Sequence, residues 1–347
     1  MKTILVIIDG LSEDKIHELG NKTPLEYACT PFIDKIIEQG HHSQRTFYPS
    51  NMQPDSLNCI LAILGVDKRY IPKNRAFLEA LASNIHVEHD EVVLRCNLIS
   101  IKDEKIESFN GKNLTEEQMK NASLNVKTTG EIKFHHISGY RNLIVLKKNR
   151  EIMWMKNIPP HENVGSSMAE ILKNFEYIEI LKEFALQNKF FINGHSYMFY
   201  PWGPSEYSEI PSFHELYHKS CSCVCSAEIV KGIAKAMKID VATLKNSTAD
   251  INTDLKEKSS AVLRELKDHD VVIAHINGTD EASHRKDLSG KISFIEKIDR
   301  DFMREIYNNL YDTRIIVVSD HQTSSLSGRH EKGNVDVICF EKTRGKE

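Results

Sequence analysis

The chain opens on an unbroken apolar run, ILVII at residues 4–8, that stops at Asp9 and Gly10. A run without polar alternation is the pattern of a strand buried on both faces. Such strands belong to parallel sheets, whose carboxyl ends feed the loops that carry chemistry. Two helical patterns follow. TPFIDKIIEQG spaces its apolar residues three and four apart and stops at a glycine, and DSLNCILAILG has a serine near its start. Farther on, VCSAEIVKGIAKAM gives way to IDVATL, DVVIAHIN to a helical stretch from Asp280 through Arg304, and RIIVVSD to VDVICF. This alternation predicts an α/β fold, a mostly parallel sheet flanked by helices.

The pattern changes between residues 86 and 187, where lysine, asparagine and isoleucine alternate. There IKDEKIESFNG, GEIKFHHISG and YRNLIVLKKNREIMW read as short strands joined by polar turns. We expect an inserted, smaller α+β cap at 86–187 within a discontinuous core of residues 1–85 and 188–347. A chain of 347 residues has room for both, since a single core stops growing near ~250–300 residues.

Composition narrows the function mainly by exclusion. The formal net charge of -4 is small against 45 basic and 49 acidic residues, so neither nucleic acid nor a membrane is expected as partner. An anionic substrate would have to be met by local charge. The opening apolar run is far shorter than the ~18–20 residues a span needs, and no small-residue cleavage site follows it. A soluble cytoplasmic protein is expected. The seven cysteines lack the spacing of a disulfide framework, and Cys221, Cys223 and Cys225 alternate along a strand pattern as small core-filling thiols. GxxxxGK[ST] is absent, which disfavours a P-loop kinase.

Three apolar strands end in groups that can hold a cation. Asp9 follows ILVII, Asp280 and His284 follow VVIAHINGT, and Asp320 with His321 follow RIIVVS; His330 comes shortly after. Asp280 and His284 are four apart at the start of a helical pattern, so they share one face. Taken singly, an acid after a strand also serves as a helix N-cap, and a lone histidine is more often a satisfied core or surface group. Taken together at three strand ends, these residues predict two divalent ions, and the mixture of carboxylates and imidazoles suits zinc or manganese better than calcium.

The segments IDGLSE, KTPLEYACTPFIDKI, PDSLNCILAILGVD, RAFLEALA, LRCNL, GYRNLIVL, PPHE, NGHSYMFYPWG, HINGTDEASH with KISFIEKID, and SDHQT run through most of the chain. In order and spacing they resemble the archaeal-type cofactor-independent phosphoglycerate mutases of the alkaline phosphatase superfamily. The resemblance implies an alkaline phosphatase-like core, a small phosphorylated metabolite as substrate, and no need for 2,3-bisphosphoglycerate. It implies Asp280, His284 and His330 as ligands of one ion and Asp9, Asp320 and His321 as ligands of the other, with Ser56 as nucleophile bridging to the second. Arg95, Arg141 and Arg75 would contact the substrate, and His161 in PPHE would help the cap close. A serine held by a divalent cation needs no histidine base, and Ser56 can cap the following helix as well.

Some positions depart from the family pattern. Where the family has a glycine before the nucleophile and an acid after it, this chain has Asp55 and Leu57. The segment QTSSLSGRHEKGNVDVICF lacks the family's proline-rich continuation. The leading expectation is interconversion of 2-phosphoglycerate and 3-phosphoglycerate through phosphoserine. The alternatives are hydrolysis or transfer on another phosphorylated or phosphonylated metabolite, including a homoserine kinase-like role, and a catalytically silent binding protein.

Overall fold

The computed structural model describes residues 1–49 and 52–343. They form two compact units, Met1–Ile71 with Glu209–Glu347, and Pro72–Ser208.

In chain order, the larger unit begins with β1 (Lys2–Ile8), α1 (Pro31–Gln39), β2 (His41–Arg45) and α2 (Ser56–Ile63). The smaller unit follows with α3 (Ala76–Ala82), β3 (Glu91–Lys102), β4 (Lys105–Ser108), β5 (Lys133–Ser138), β6 (Arg141–Lys147), β7 (Phe190–Ile192) and β8 (His195–Glu206). The chain then returns to the larger unit through β9 (Cys221–Val224), α4 (Glu228–Ala236), β10 (Asp240–Val241), α5 (Leu255–Glu265), β11 (Val271–Ile276), α6 (Gly278–His284) and α7 (Leu288–Ile298). It closes with β12 (Thr313–Val318), β13 (Gln322–Thr323), β14 (His330–Glu331) and β15 (Val335–Lys342).

The larger unit is built on a sheet of order β10-β9-β11-β1-β12-β15-β2. β1 lies parallel between β11 and β12, with Ile8 opposite Ile276 and Ile7 opposite Val318. Its apolar run is explained by that position, because Ile4, Val6, Ile7 and Ile8 are all buried. Helix α1 turns Ile33 and Ile36 to the same core, each burial stabilising by roughly 1.5–3 kcal/mol. β15 and β2 are antiparallel, so the sheet is mostly and not wholly parallel. Cys221, Cys223 and Cys225 are buried, as their alternation suggested.

Two expectations are corrected. The stretch from Asp280 through Arg304 is not one helix: Lys286 has a left-handed φ of 58° that ends α6, and Asp287 accepts a hydrogen bond from Gly290 N to start α7. The smaller unit also extends beyond 86–187 at both ends. β8 is the main partner of β3, from Val92↔Glu206 to Ile101↔Ser196, and α3 packs on both strands, so these elements cannot be separated from the sheet they complete. That sheet, β5-β6-β3-β8-β7 with β4 on β3, is antiparallel throughout and has its own apolar core around Phe175, Phe199 and Tyr200.

Candidate metal centre

Because β11, β1 and β12 are adjacent and parallel, their carboxyl ends lie side by side. This places Asp9, Asp280, Asp320 and His321 together although Asp9 is hundreds of residues from the other three in sequence. Gly10 makes the turn after β1 possible. Its φ is +63°, and a Cβ there would meet Thr323 Oγ1 at 2.7 Å and the Asp280 backbone at 3.0 Å. Ser56 is the first residue of α2, whose N-cap is Asp55, accepting from Asn58 N at 2.8 Å. His330 stands on β14, the partner of β13.

The side chains converge closely. His321 Nε2 is 3.4 Å from Asp9 Oδ1, 3.3 Å from Asp320 Oδ2 and 3.4 Å from Ser56 Oγ. His284 Nε2 is 3.1 Å from Asp280 Oδ2 and 3.2 Å from His330 Nε2, and His330 Nε2 is 3.4 Å from Asp280 Oδ1. Two sets of three donors, Asp9/Asp320/His321 and Asp280/His321/His330, each lie within 4.8 Å. His321 thus touches both groups, where the sequence reading gave it to one.

The supporting contacts all leave these donor atoms turned inward. His321 Nδ1 pairs with Thr323 Oγ1 at 3.1 Å, His284 Nδ1 with Gly328 O at 2.9 Å, and His330 Nδ1 with Pro54 O at 2.9 Å. Each ring is therefore oriented through one nitrogen and presents the other to the cluster, the arrangement by which proteins fix metal-binding imidazoles. Asp320 Oδ1 accepts from Gly10 N and His321 N, and Asp280 Oδ1 accepts from Thr323 Oγ1 at 2.7 Å. Thr279 Oγ1 donates to the carbonyl of Asp9.

Charge at the site is unbalanced in a way that a cation would correct. Burial, then the neighbouring Asp320 and Asp280, push the Asp9 carboxyl well above the usual range. Burial also acts to raise Asp280, but hydrogen bonds from His284 and His330 hold it well below. The bond to Asp280 lifts His284 to about 9, whereas burial lowers His321. Asp9 Oδ1 and Asp320 Oδ2 are buried with no hydrogen-bond partner among the described residues. Uncompensated buried carboxylate oxygens are costly, and hard oxygens mixed with imidazoles are a suitable donor set for a divalent ion. The residues present fit such ions.

The comparisons agree with this geometry. Residues 1–347 match the model of the metalloenzyme superfamily. The 2,3-bisphosphoglycerate-independent phosphoglycerate mutase of Thermococcus gammatolerans is 31% identical, over 97% of this chain and 87% of that protein. This chain belongs to that superfamily and that mutase family. It is a metal-dependent phosphoryl-transfer enzyme. A probable mutase of the same description from Geobacter sulfurreducens is 27% identical over 98% of this chain and 90% of its own length. Among solved structures, the PH0037 protein of Pyrococcus horikoshii superposes with a TM-score of 0.81 at 25% identity, over 99% of this chain and 89% of that one. The cofactor-independent phosphoglycerate mutase of Thermoplasma acidophilum shares the fold, with a TM-score of 0.60 at 18% identity, covering 100% of this chain and 91% of that one.

Within its smaller unit the enzyme gathers the arginines singled out from sequence. Glu79 holds Arg95 Nε at 3.0 Å with one oxygen and Arg75 Nε at 3.0 Å with the other. The Arg95 guanidinium lies 4.4 Å over Trp202, and Arg141 lies 5.6 Å over Tyr140. Burial first, then Arg75 and Arg141, push Arg95 down to about 10 against the opposing pull of Glu79. His161 packs edge-on to Trp202 and Phe109, 5.8 Å and 6.0 Å between ring centres, and burial lowers its basicity.

Sequence reasoning missed several supporting groups of the enzyme. His275 lies inside the apolar run VVIAHI, where an imidazole reads as core, yet its Nε2 is 3.2 Å from Asp9 Oδ2. Thr323 and Glu79 lie within SDHQT and RAFLEALA but were given no role there; only the i,i+4 spacing of Arg75 and Glu79 on α3 hinted at the latter. No described helix is long and apolar enough to cross a membrane.

Proposed function

We propose that the enzyme interconverts 2-phosphoglycerate and 3-phosphoglycerate through a phosphoserine at Ser56, with two manganese or zinc ions held by Asp9, Asp320 and His321 and by Asp280, His284 and His330. The observation that carries this reading is the Ser56 hydroxyl, 3.4 Å from His321 Nε2, beside buried carboxylate oxygens that no described residue satisfies by a hydrogen bond. That the relatives from Thermococcus gammatolerans and Geobacter sulfurreducens are a phosphoglycerate mutase and a probable one supports a phosphoglycerate as substrate. When bound, divalent ions supply Lewis acidity that favours a serine alkoxide and balances charge on the transferring phosphoryl group.

The residues of the chain divide the remaining work. Ser56 Oγ gives up its proton and forms a bond to phosphorus as the bond from phosphorus to the substrate oxygen breaks, and that oxygen takes up one proton in turn, leaving glycerate. In the second half the other glycerate hydroxyl attacks the phosphoserine, the Oγ–P bond breaks, and Ser56 is restored. Asp55 holds the first turn of α2 and so fixes where Oγ points. Arg95, Arg141 and Arg75 are the groups suited to bind the substrate carboxylate and phosphate, because a guanidinium offers planar, paired donors. Such metabolites are kept inside cells, and we place the activity in the cytoplasm.

The test is direct. Purified protein is supplied with Mn2+ or Zn2+ and a panel of phosphomonoesters, and free phosphate and isomerised product are followed separately. Isomer without phosphate release supports the mutase. Phosphate release alone would make the enzyme a hydrolase, and transfer to homoserine would select the kinase-like alternative. No turnover together with no phosphoserine would leave a silent binding protein.

A further inference from the structure

His275 is 1% exposed at the end of β11, and neither of its ring nitrogens makes a hydrogen bond among the described residues. A buried imidazole with both nitrogens unsatisfied is costly. It forms an ion-pair contact with Asp9: Nε2 is 3.2 Å from Oδ2, whereas His321 Nε2 approaches the other oxygen, Oδ1, at 3.4 Å. The backbone under the ring is itself held, since the Lys258 ammonium donates to the His275 carbonyl at 3.0 Å. His275 belongs to neither set of converging donors.

We propose that His275 is a positioning residue for the metal centre: its Nε2, 3.2 Å from Asp9 Oδ2 but not aligned as a hydrogen bond, turns to donate its hydrogen there when the ion is bound, so that Oδ1 faces the ion. A neutral imidazole has one N–H, and a carboxylate that accepts it on one oxygen is fixed in rotation about its Cβ–Cγ bond. The other oxygen is then held toward Asp320 and His321. Without the ring, Asp9 would turn or take up a proton from solvent, and the site nearest Ser56 would weaken. Outer partners of this kind commonly contribute 10–100-fold to metal affinity. The inference rests on the metal reading proposed above.

The test measures binding and not turnover. Chelator-stripped wild type, His275→Ala, His275→Gln and Asp9→Asn are titrated with Mn2+, the free ion being counted by electron paramagnetic resonance, and the melting temperature of each metal-free protein is recorded. We expect His275→Ala to weaken one of the two binding steps about 10–100-fold. His275→Gln, whose amide N–H can reach the same oxygen, should recover most of that loss. Binding by His275→Ala equal to wild type would overturn the proposal, as would a lowered metal-free melting temperature with unchanged affinity. If His275→Ala fails to fold, the comparison rests on His275→Gln against His275→Leu, and equal affinities for these two would overturn it likewise. If the wild type binds no Mn2+, or Asp9→Asn binds it as tightly as wild type, the metal reading itself falls.

Discussion

Three imidazoles at the centre of the larger unit each commit one nitrogen to the protein and keep the other for the site. The consequences of losing them should differ. His321 touches both donor groups, so His321→Ala should lower metal content from two ions toward none, whereas His284→Ala should remove about one; elemental analysis of the dialysed proteins reads both. Ser56→Ala should abolish turnover and the mass increment of phosphoserine while leaving metal content near wild type, and retained activity would refute the nucleophile assignment. At this scale the sequence was informative where chemistry breaks a pattern. Asp9, Asp280, Asp320 and His321 stand out because each follows an apolar run. His275 did not, because a residue inside such a run is read as packing whatever its side chain, and only coordinates reveal that Asp9 is beside it.

The elements around the centre are tied by two buried lysines. Lys291 on α7 is fully buried, donating to Glu13 Oε2 at 2.8 Å and to the Thr323 carbonyl at 2.9 Å. Glu13 in turn accepts from Ser325 N and Oγ, so the pair fixes the loop that carries Thr323 beside Asp280. Breaking such a pair leaves one charge unmatched, and Lys291→Met should cost about 3–5 kcal/mol. Replacing both partners with apolar residues should recover much of that in denaturant titration. Lys258 on α5 behaves differently, because burial pushes its ammonium down to about 8, with only partial opposition from Cys225 and Cys223. In the unfolded chain lysine titrates near ~10.4, so between those values the unfolded state binds more protons and stability rises with pH. The full span is on the order of 3 kcal/mol, and Lys258→Met should remove the slope between pH 8 and 10 while raising stability at pH 7. Strands β1, β11 and β12 were legible because continuous apolar runs have few other uses. The break between α6 and α7 was not, since a left-handed lysine leaves no mark in composition.

At the scale of the whole molecule, the two units differ in how the chain builds them. Pro72–Ser208 is continuous, with an antiparallel sheet and its own core. Expressed alone it should fold, giving one cooperative thermal transition and a near-ultraviolet circular dichroism signal; a featureless spectrum would show that it depends on the rest. The insertion itself was legible as a change of pattern, but its edges were not. α3 and β8 look like core elements in sequence because any buried helix or strand does, and only pairing with β3 assigns them.

The larger unit has the opposite construction, and this bears on how the protein is made. β1 sits between two strands that begin at Val271 and Thr313. At roughly 5–20 residues per second, a ribosome would need on the order of 15–60 s after finishing β1 to deliver both neighbours. During that interval a sticky hydrocarbon ribbon waits without its hydrogen-bonding mates while the middle of the chain is free to collapse first. The Asp9 carboxylate that follows that ribbon is thus among the first groups synthesised and among the last to be seated, and nascent chains stalled before residue 313 should be the species that molecular chaperones hold.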